Sequence, residues 1–266
     1  MENATPNTVR ETKTFRFYHY ISAKYVEDFL RTGLLKTTQL GHSNDYFEYK
    51  PGFASPNVEW VWNHAIKGNE PCVVCLSAKM SSPVMWGHYG ERGKGVCVVF
   101  DIPLDHRAIL RRSHDNVEKE FYAYSAENSD ICIVKVLYGN QRVVIPEIPE
   151  DEMGGLLMEI ACSKPLDWQY EHEYRVIVDT NSLIAKNGYF FYGGMLQYCS
   201  AVLLGWDCPV TNAYISAVLK EAGRQNIRVV DTYPSLNRFE ICSCICEGES
   251  YMDSSVSELD AWGGVG

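Results

Sequence analysis

Two glutamates one residue apart are the feature of this sequence with the clearest chemical meaning. They stand in W-Q-Y-E-H-E-Y-R-V-I-V, residues 168–178, at the start of an apolar run. Because strand side chains alternate faces, a strand here would place Glu171, Glu173 and Arg175 on one face, with the carboxylates roughly 7 Å apart. A neighbouring carboxylate raises the pKa of a glutamate, which suits a proton acceptor, whereas Arg175 opposes this shift. The alternative interpretation is that these charged residues lie on a solvated strand edge and have no chemical role.

Three further segments carry polar or aromatic groups that an ordinary core does not require. They contain His19 and Tyr20 (F-R-F-Y-H-Y-I), Ser77 (V-V-C-L-S-A), and Trp86, His88 and Tyr89 (M-W-G-H-Y-G). Each has an ordinary alternative: a structural histidine, a serine bonded to local backbone, or aromatic rings packed in the core. Taken with the aromatic residues around the glutamates, the four segments indicate a cleft for a flat, charged small molecule.

The cysteine and glycine motifs predict neither a metal site nor a phosphate loop. Cys72 and Cys75 lie in a strand-like run that would point them to opposite faces, and Cys242, Cys244 and Cys246 lack a fourth ligand at zinc-finger spacing. We therefore predict no metal. G-E-R-G-K-G, residues 90–95, is followed by valine instead of the serine or threonine of a nucleotide-binding P-loop. A tight turn before a strand explains these glycines better.

Hydrophobic periodicity predicts one mixed α+β domain over residues 15–246. Expected strands cover residues 15–21, 34–39, 73–78, 95–102, 131–138, 174–179, 201–205, 227–233 and 239–246. Expected helices cover residues 23–31, 83–89, 150–163 and 211–223, with Gly33 ending the first and a loop at 42–56. We expect an N-terminal extension at residues 1–14 and a flexible acidic tail at residues 247–266.

Composition favours a globular chain without a dominant basic surface. The formal net charge is −10, and the segment 247–266 contains five acidic residues and neither lysine nor arginine. Nucleic acid is neither implied nor excluded, since Arg107, Arg111 and Arg112 could form a local basic patch, although such a cluster more often lies on a solvated helix face. We find no secretory signal or membrane-spanning run, which predicts a cytoplasmic location.

The order of several short blocks resembles a widespread bacterial family of unknown function and, more distantly, ADP-ribosyltransferases. The blocks are F-Y-H-Y-I-S, S-N-D-Y-F-E, C-L-S-A-K, M-W-G-H-Y-G, W-Q-Y-E-H-E-Y-R and A-V-L-L-G. The first is similar to the opening strand of DNA-targeting ADP-ribosyltransferase toxins, and Y-E-H-E-Y-R-V-I-V resembles their Glu-x-Glu motif. This likeness implies a mostly antiparallel split sheet with flanking helices.

The resemblance also implies an NAD-consuming reaction. It gives Glu173 as the catalytic carboxylate and Glu171 as its helper, and it implies His19 as a contact to NAD. Ser77 matches one position of the Ser-Thr-Ser motif of other members. The candidate NAD-binding residues are His19, Tyr20, Ser77, Trp86, His88, Tyr89 and Arg175.

The leading hypothesis for function is transfer of ADP-ribose to a macromolecule, a protein or a nucleic acid, in a toxin or phage-defence setting. The alternatives are an NAD glycohydrolase and a non-catalytic module that binds a nucleotide or a partner.

Overall fold

The fold is described from a computed structural model over residues 13–66, 71–114, 117–126, 131–147 and 154–243. Residues 1–12 of the expected extension and the whole expected acidic tail, 247–266, lie outside these ranges, as do Cys244 and Cys246. Residues 13 and 14, assigned to the extension from the sequence, already belong to the first strand.

Helices and strands alternate irregularly along the chain, as expected for an α+β protein. The helices are α1 (Ala23–Thr32), α2 (Pro56–Val61), α3 (Pro83–His88), α4 (Gly154–Ala161) and α5 (Asn212–Glu221). The strands are β1 (Lys13–Ile21), β2 (Leu35–Lys36), β3 (Thr38–Gln39), β4 (Gly52–Phe53), β5 (Cys72–Ser77), β6 (Val96–His114), β7 (Val117–Ala126), β8 (Cys132–Lys135), β9 (Leu137–Gly139), β10 (Val144–Ile145), β11 (Ser163–Pro165), β12 (Glu173–Val178), β13 (Ile184–Lys186), β14 (Tyr189–Tyr192), β15 (Cys199–Leu204), β16 (Arg228–Pro234) and β17 (Ile241–Ser243).

Six antiparallel strands close into a barrel-like sheet in the order β1-β5-β12-β8-β7-β6, and β6 pairs again with β1. The long strand β6 permits this closure, because its first half pairs with β1 and its second half pairs with β7. Strands β15, β16 and β17 extend the sheet from the other edge of the first half of β6. The prediction of a mixed, mostly antiparallel fold is confirmed.

The main core lies on one face of the barrel strands. Alternation places Phe15 and Phe17 of β1 in this core, together with Val176 of β12. Helix α1 buries an apolar stripe of Val26, Phe29 and Leu30 against it, and α5 packs beside α1. Helix α1 ends where Gly33 adopts φ 79°, a left-handed conformation that favours glycine.

A second layer covers the opposite face of β5, β12 and β8. Here α4 and the segment around α2 form a separate apolar cluster with the barrel strands, including Trp62, Val73, Val134, Leu156 and Ile160. Since strand side chains alternate, Tyr174 and Val176 face the main core, whereas Glu173 and Arg175 face this second layer. The glutamate segment therefore borders an interior strand and not a solvated edge.

Some expected elements differ in extent. The strand expected at residues 34–39 is two short strands, β2 and β3, and α4 provides the described part of the helix expected at 150–163. Arg107, Arg111 and Arg112 lie in strand β6, so the helix-face interpretation of this cluster is wrong. Within the described ranges, no helix is long and apolar enough to span a membrane.

Candidate functional site

A cavity of about 520 Å³ opens beside the ends of β1, β5 and β12. Its wall includes His19 and Tyr20 from β1, Ser77 from β5, and both Glu171 and Glu173. The wall also includes residues of β2, β3, β11 and β14, the segment at residues 42–48, Met85 of α3 and Tyr89 after α3. The structure thus brings together residues that are far apart in the sequence. The volume of this cavity lies in the range of small-molecule sites, about 300–1,000 Å³.

Glu173 is fixed by the residue two positions further along its own strand. The Glu173 side chain is 4% exposed and Arg175 is 0% exposed. Arg175 Nε lies 2.9 Å from Glu173 Oε1, and Arg175 Nη2 lies 3.0 Å from Glu173 Oε2. In the sheet register, Glu173 lies opposite Ser77 and Arg175 lies opposite Cys75. A guanidinium fork that contacts both carboxylate oxygens fixes the orientation of Glu173.

Two buried charged residues that the sequence analysis did not identify complete the cluster. Lys164 of β11 places its Nζ 2.6 Å from Glu171 Oε2, 3.0 Å from Glu173 Oε2 and 3.6 Å from Glu48 Oε2. Glu48 also accepts a hydrogen bond from Arg175 Nη2. When all five groups are ionised, three carboxylates and two cations leave one net negative charge beside the cavity. We call Glu48, Lys164, Glu171, Glu173 and Arg175 the charged cluster.

Glu171 does not share a strand face with Glu173, contrary to expectation. It ends a 3₁₀ turn at Leu166–Glu171, and His172 follows with φ 44°, so β12 begins at Glu173. This left-handed residue interrupts the strand alternation that the prediction assumed. The two carboxylates still converge, because both contact Lys164. Glu171 is 4% exposed, and its Oε1 accepts a 2.5 Å hydrogen bond from the Tyr89 hydroxyl.

The environments of the two glutamates move their pKa values in opposite directions. Burial alone would raise the pKa of Glu173, but Arg175 and Lys164 outweigh it and lower this pKa to about 2. Burial raises the pKa of Glu171, Lys164 opposes the rise, and the charge of Glu173 adds to it. The sequence left open whether a neighbouring carboxylate or Arg175 has the larger effect on the pKa values of the two glutamates. In the structure the cations dominate at Glu173, whereas burial and the charge of Glu173 dominate at Glu171. Glu173 is therefore ionised at neutral pH, and Glu171 is the better proton acceptor.

The candidate NAD contacts from β1 and β5 lie at the cavity. His19 Nδ1 lies 2.7 Å from the Cys75 carbonyl, so Nδ1–H donates and Nε2 keeps the ring's lone pair. Burial lowers the pKa of His19, and the bond to Cys75 opposes this, so the ring is neutral at pH 7. The Tyr20 hydroxyl donates to the Met80 carbonyl at 3.1 Å. Ser77 Oγ donates to the Glu171 carbonyl at 2.6 Å, so this serine fixes the backbone that carries Glu171.

Three other candidate NAD contacts are absent from the described cavity wall. Trp86 is wholly buried among apolar residues, and its Nε1 donates to the Met80 carbonyl at 2.9 Å. His88 is exposed and lies 2.9 Å from the Tyr170 hydroxyl through its Nδ1. Arg175 lies behind Glu173. The expected direct contacts from these residues are therefore corrected: Trp86 packs the core, His88 faces outward, and Arg175 acts on Glu173.

The described cysteines are free thiols, and within the described residues no group of three or more His, Cys, Asp and Glu is arranged to bind a metal ion. Cys75 is the cysteine that lines the cavity. Burial, followed by the charge of Glu173, raises its pKa well above the ordinary value. The Cys75 thiol therefore remains protonated, which makes it a poor nucleophile and a poor metal ligand.

Comparison with known proteins finds a match over part of the chain to a family model that has no assigned activity. No curated protein and no solved structure matches the chain. A family model described as "Protein of unknown function (DUF2971)" matches residues 85–176, about a third of the chain. This match agrees with the expected likeness to a family of unknown function. It includes Tyr89, Lys164 and both glutamates, and it omits His19, Glu48 and Ser77.

Proposed function

We propose that the cavity binds NAD and that the chain cleaves the bond between nicotinamide and ribose. The observation that carries this proposal is that Glu171 and Glu173 converge on Lys164 at one cavity wall, in surroundings that move their pKa values in opposite directions. Titratable pairs with separated pKa values are typical of acid–base sites. The barrel-like sheet is, in this proposal, a variant of the split sheet of ADP-ribosyltransferases.

The first step is loss of nicotinamide. The bond from the ribose C1′ to the nicotinamide nitrogen breaks, its electron pair goes to nicotinamide, and the ribose gains oxocarbenium character. A fixed carboxylate stabilises such a cation without reorganising during the reaction. Glu173 meets this requirement because its pKa of about 2 keeps it ionised and Arg175 fixes its orientation. Counted together, the five groups of the charged cluster leave one net negative charge beside the cavity, which favours such a cation.

The second step adds an acceptor to the same carbon. The acceptor oxygen or nitrogen donates a lone pair to C1′ and gives its proton to Glu171. A carboxylate with a raised pKa is the better base for this role. Following the resemblance of the sequence blocks, we propose that the acceptor is a side chain or base of a macromolecule.

The other cavity groups are suited to a polar, aromatic ligand. Neutral His19 offers Nε2 as an acceptor for a ligand hydroxyl or amide. At the β2 and β14 wall, Lys36 Nζ lies 3.9 Å from the ring centroid of Tyr189, and both residues line the cavity. Tyr189 is about half exposed, so its ring is available to stack on a flat group.

A second candidate, the NAD glycohydrolase, is favoured by the burial of the glutamate pair. Both carboxylates are 4% exposed, and Tyr89 lies against Glu171. Water reaches such a site more easily than a macromolecular side chain does. In the hydrolytic reaction, water adds to C1′ and Glu171 accepts the water proton.

The test is release of nicotinamide from NAD by the purified chain, with and without cell lysate. We compare wild type with Glu171→Gln and Glu173→Gln, and use Glu221→Gln as a matched control, because Glu221 is an exposed glutamate paired with Arg31. We expect release by wild type and the control and strong loss in Glu173→Gln. If the protein is a transferase, Glu171→Gln should reduce labelling of the acceptor more than it reduces hydrolysis of NAD. If it is a glycohydrolase, both substitutions should slow the same reaction, the hydrolysis of NAD. A wild type that binds NAD and releases no nicotinamide in either condition overturns the enzyme proposal in favour of a binding module.

A further inference from the structure

Tyr89 has a more specific arrangement than the ligand-stacking role expected from its sequence. It follows α3, its side chain is half-buried, and its hydroxyl lies 2.5 Å from Glu171 Oε1. The same hydroxyl oxygen accepts a 3.2 Å hydrogen bond from Asn44 Nδ2. A hydroxyl has one hydrogen to donate, and here the carboxylate is its acceptor. Tyr89 therefore connects the segment at residues 43–48 with Glu171.

The segment at residues 43–48, S-N-D-Y-F-E, contacts at two points the residues that bond the glutamate pair. At one end Asn44 bonds Tyr89, and at the other end Glu48 bonds Arg175 and lies 3.6 Å from Lys164. This block carried part of the sequence resemblance, yet the proposed reaction gives its Asn44 no role. Asn44 and Glu48 both line the cavity.

We propose that Tyr89 is a positioning residue that, oriented by Asn44, donates the hydrogen bond that fixes the Glu171 carboxylate at the cavity wall. Lys164 contacts the other oxygen of Glu171 at 2.6 Å, so the carboxylate is fixed from both sides. A proton acceptor gains rate from such fixation, because a displacement of about 1 Å can cost roughly 100-fold. This role deepens the proposed function and rests on it for its consequence in catalysis.

The charged and titratable groups around Glu171 determine how the role is tested. Lys164 favours its ionised form, Glu173 opposes it, and the side-chain hydrogen bond from Tyr89 favours it. Tyr170 and Tyr138 are phenols near Glu171. Burial is the largest cause of their raised pKa values, and the charge of Glu171 contributes to the rise. Loss of the Tyr89 hydroxyl removes a donor to the carboxylate, so Glu171 should titrate at higher pH.

The experiment is a carboxyl-carbon NMR titration of Glu171, assigned by loss of its signal in Glu171→Gln. We expect the titration midpoint in Tyr89→Phe to lie about one pH unit above that of wild type. The free energy of a hydrogen bond to a charged group is large enough for a pKa change of about this size. Asn44→Ala should shift it less in the same direction, and should add nothing in the Tyr89→Phe background. Tyr170→Phe is the matched control, because its hydroxyl lies beside His88, and we expect an unchanged midpoint.

Nicotinamide release gives the second readout. If Glu171 is the base, the acidic limb of kcat against pH should move upward with the NMR midpoint in Tyr89→Phe, while KM for NAD changes little. An unchanged Glu171 midpoint in a folded Tyr89→Phe, or a rise in KM alone, overturns the positioning role and favours a ligand contact. If Tyr89→Phe does not fold, an unchanged midpoint in Asn44→Ala overturns it instead. A shifted midpoint without nicotinamide release in any variant supports the positioning of Glu171 and refutes the proposed reaction.

Discussion

Replacement of Arg175 by methionine should destabilise the protein strongly, because it removes a cation from a site that excludes water. Arg175 is 0% exposed and contacts both oxygens of Glu173, as well as Glu48 and the Ala161 carbonyl. In Arg175→Met, three buried carboxylates share the single cation Lys164. Removing one partner of a buried ion pair typically costs about 3–5 kcal/mol.

The chain contains a matched control for this substitution. Arg16 contacts Asp101 with the same two-point geometry, at 2.7 and 2.8 Å, but the two side chains are 28% and 25% exposed. A solvated pair contributes at most about 1 kcal/mol, so Arg16→Met should have a small effect. Both sites share a two-point contact between a guanidinium and one carboxylate, but the Arg175 site is buried and Arg175 also bonds Glu48 and the Ala161 carbonyl.

Thermal unfolding followed by circular dichroism measures the difference. A cost of about 3–5 kcal/mol corresponds to a fall in Tm of about 6–20 °C for a domain of this size, against a few degrees for Arg16→Met. The double variant Arg175→Met/Glu173→Gln should recover part of the loss, because it removes one of the unpaired charges. Equal Tm shifts in the two single variants would show that the charged cluster is solvated, and this reasoning would be refuted.

Three further outcomes follow from the shifted pKa values of buried groups. Glu173 has a pKa of about 2 against an ordinary value of 4.5, so it stabilises the fold above pH 4.5, and roughly 3 kcal/mol should be lost between about pH 4.5 and 2. Urea unfolding of wild type and Glu173→Gln checks this, and equal acid sensitivity contradicts it. The pKa of Lys164 is raised because Glu173, Glu48 and Glu171 outweigh the effect of burial; the unfolding free energy of wild type relative to Lys164→Met should therefore decrease above pH 10.5. A constant difference up to about pH 12 would refute this sign. Cys75 should react slowly with iodoacetamide in the native protein despite lining the cavity, since its pKa is raised; mass spectrometry showing alkylation as fast as in urea would contradict this.

Much of the fold could be predicted because it depends on local patterns. Alternation identified β1, β5 and β12, and the apolar stripe with Gly33 identified α1 almost to the residue. Closure of the barrel was not predictable in this way. It depends on β6 pairing with both β1 and β7, and a local pattern does not specify which distant strands pair.

The candidate site was predicted in part for a similar reason. The Glu171 and Glu173 pair was visible because its spacing is local, but the left-handed His172 between them changed which faces they occupy. Glu48 is 127 residues from Arg175 in the sequence, and isolated glutamates and lysines in loops are ordinarily solvated. Trp86 shows the opposite error, because a residue predicted to contact the ligand is buried in the core. The sequence pattern of an aromatic residue beside glycines is the same in a core and in a platform that stacks on a ligand.

The rate of nicotinamide release by Glu173→Gln at saturating NAD tests the central claim most directly. The substitution preserves the shape of the side chain and removes the charge that the proposed transition state requires. We predict a rate at least about 100-fold below that of wild type, with NAD affinity changed much less, after Tm values confirm that both proteins are folded at the assay temperature. A Glu173→Gln variant that releases nicotinamide at the wild-type rate would contradict the account.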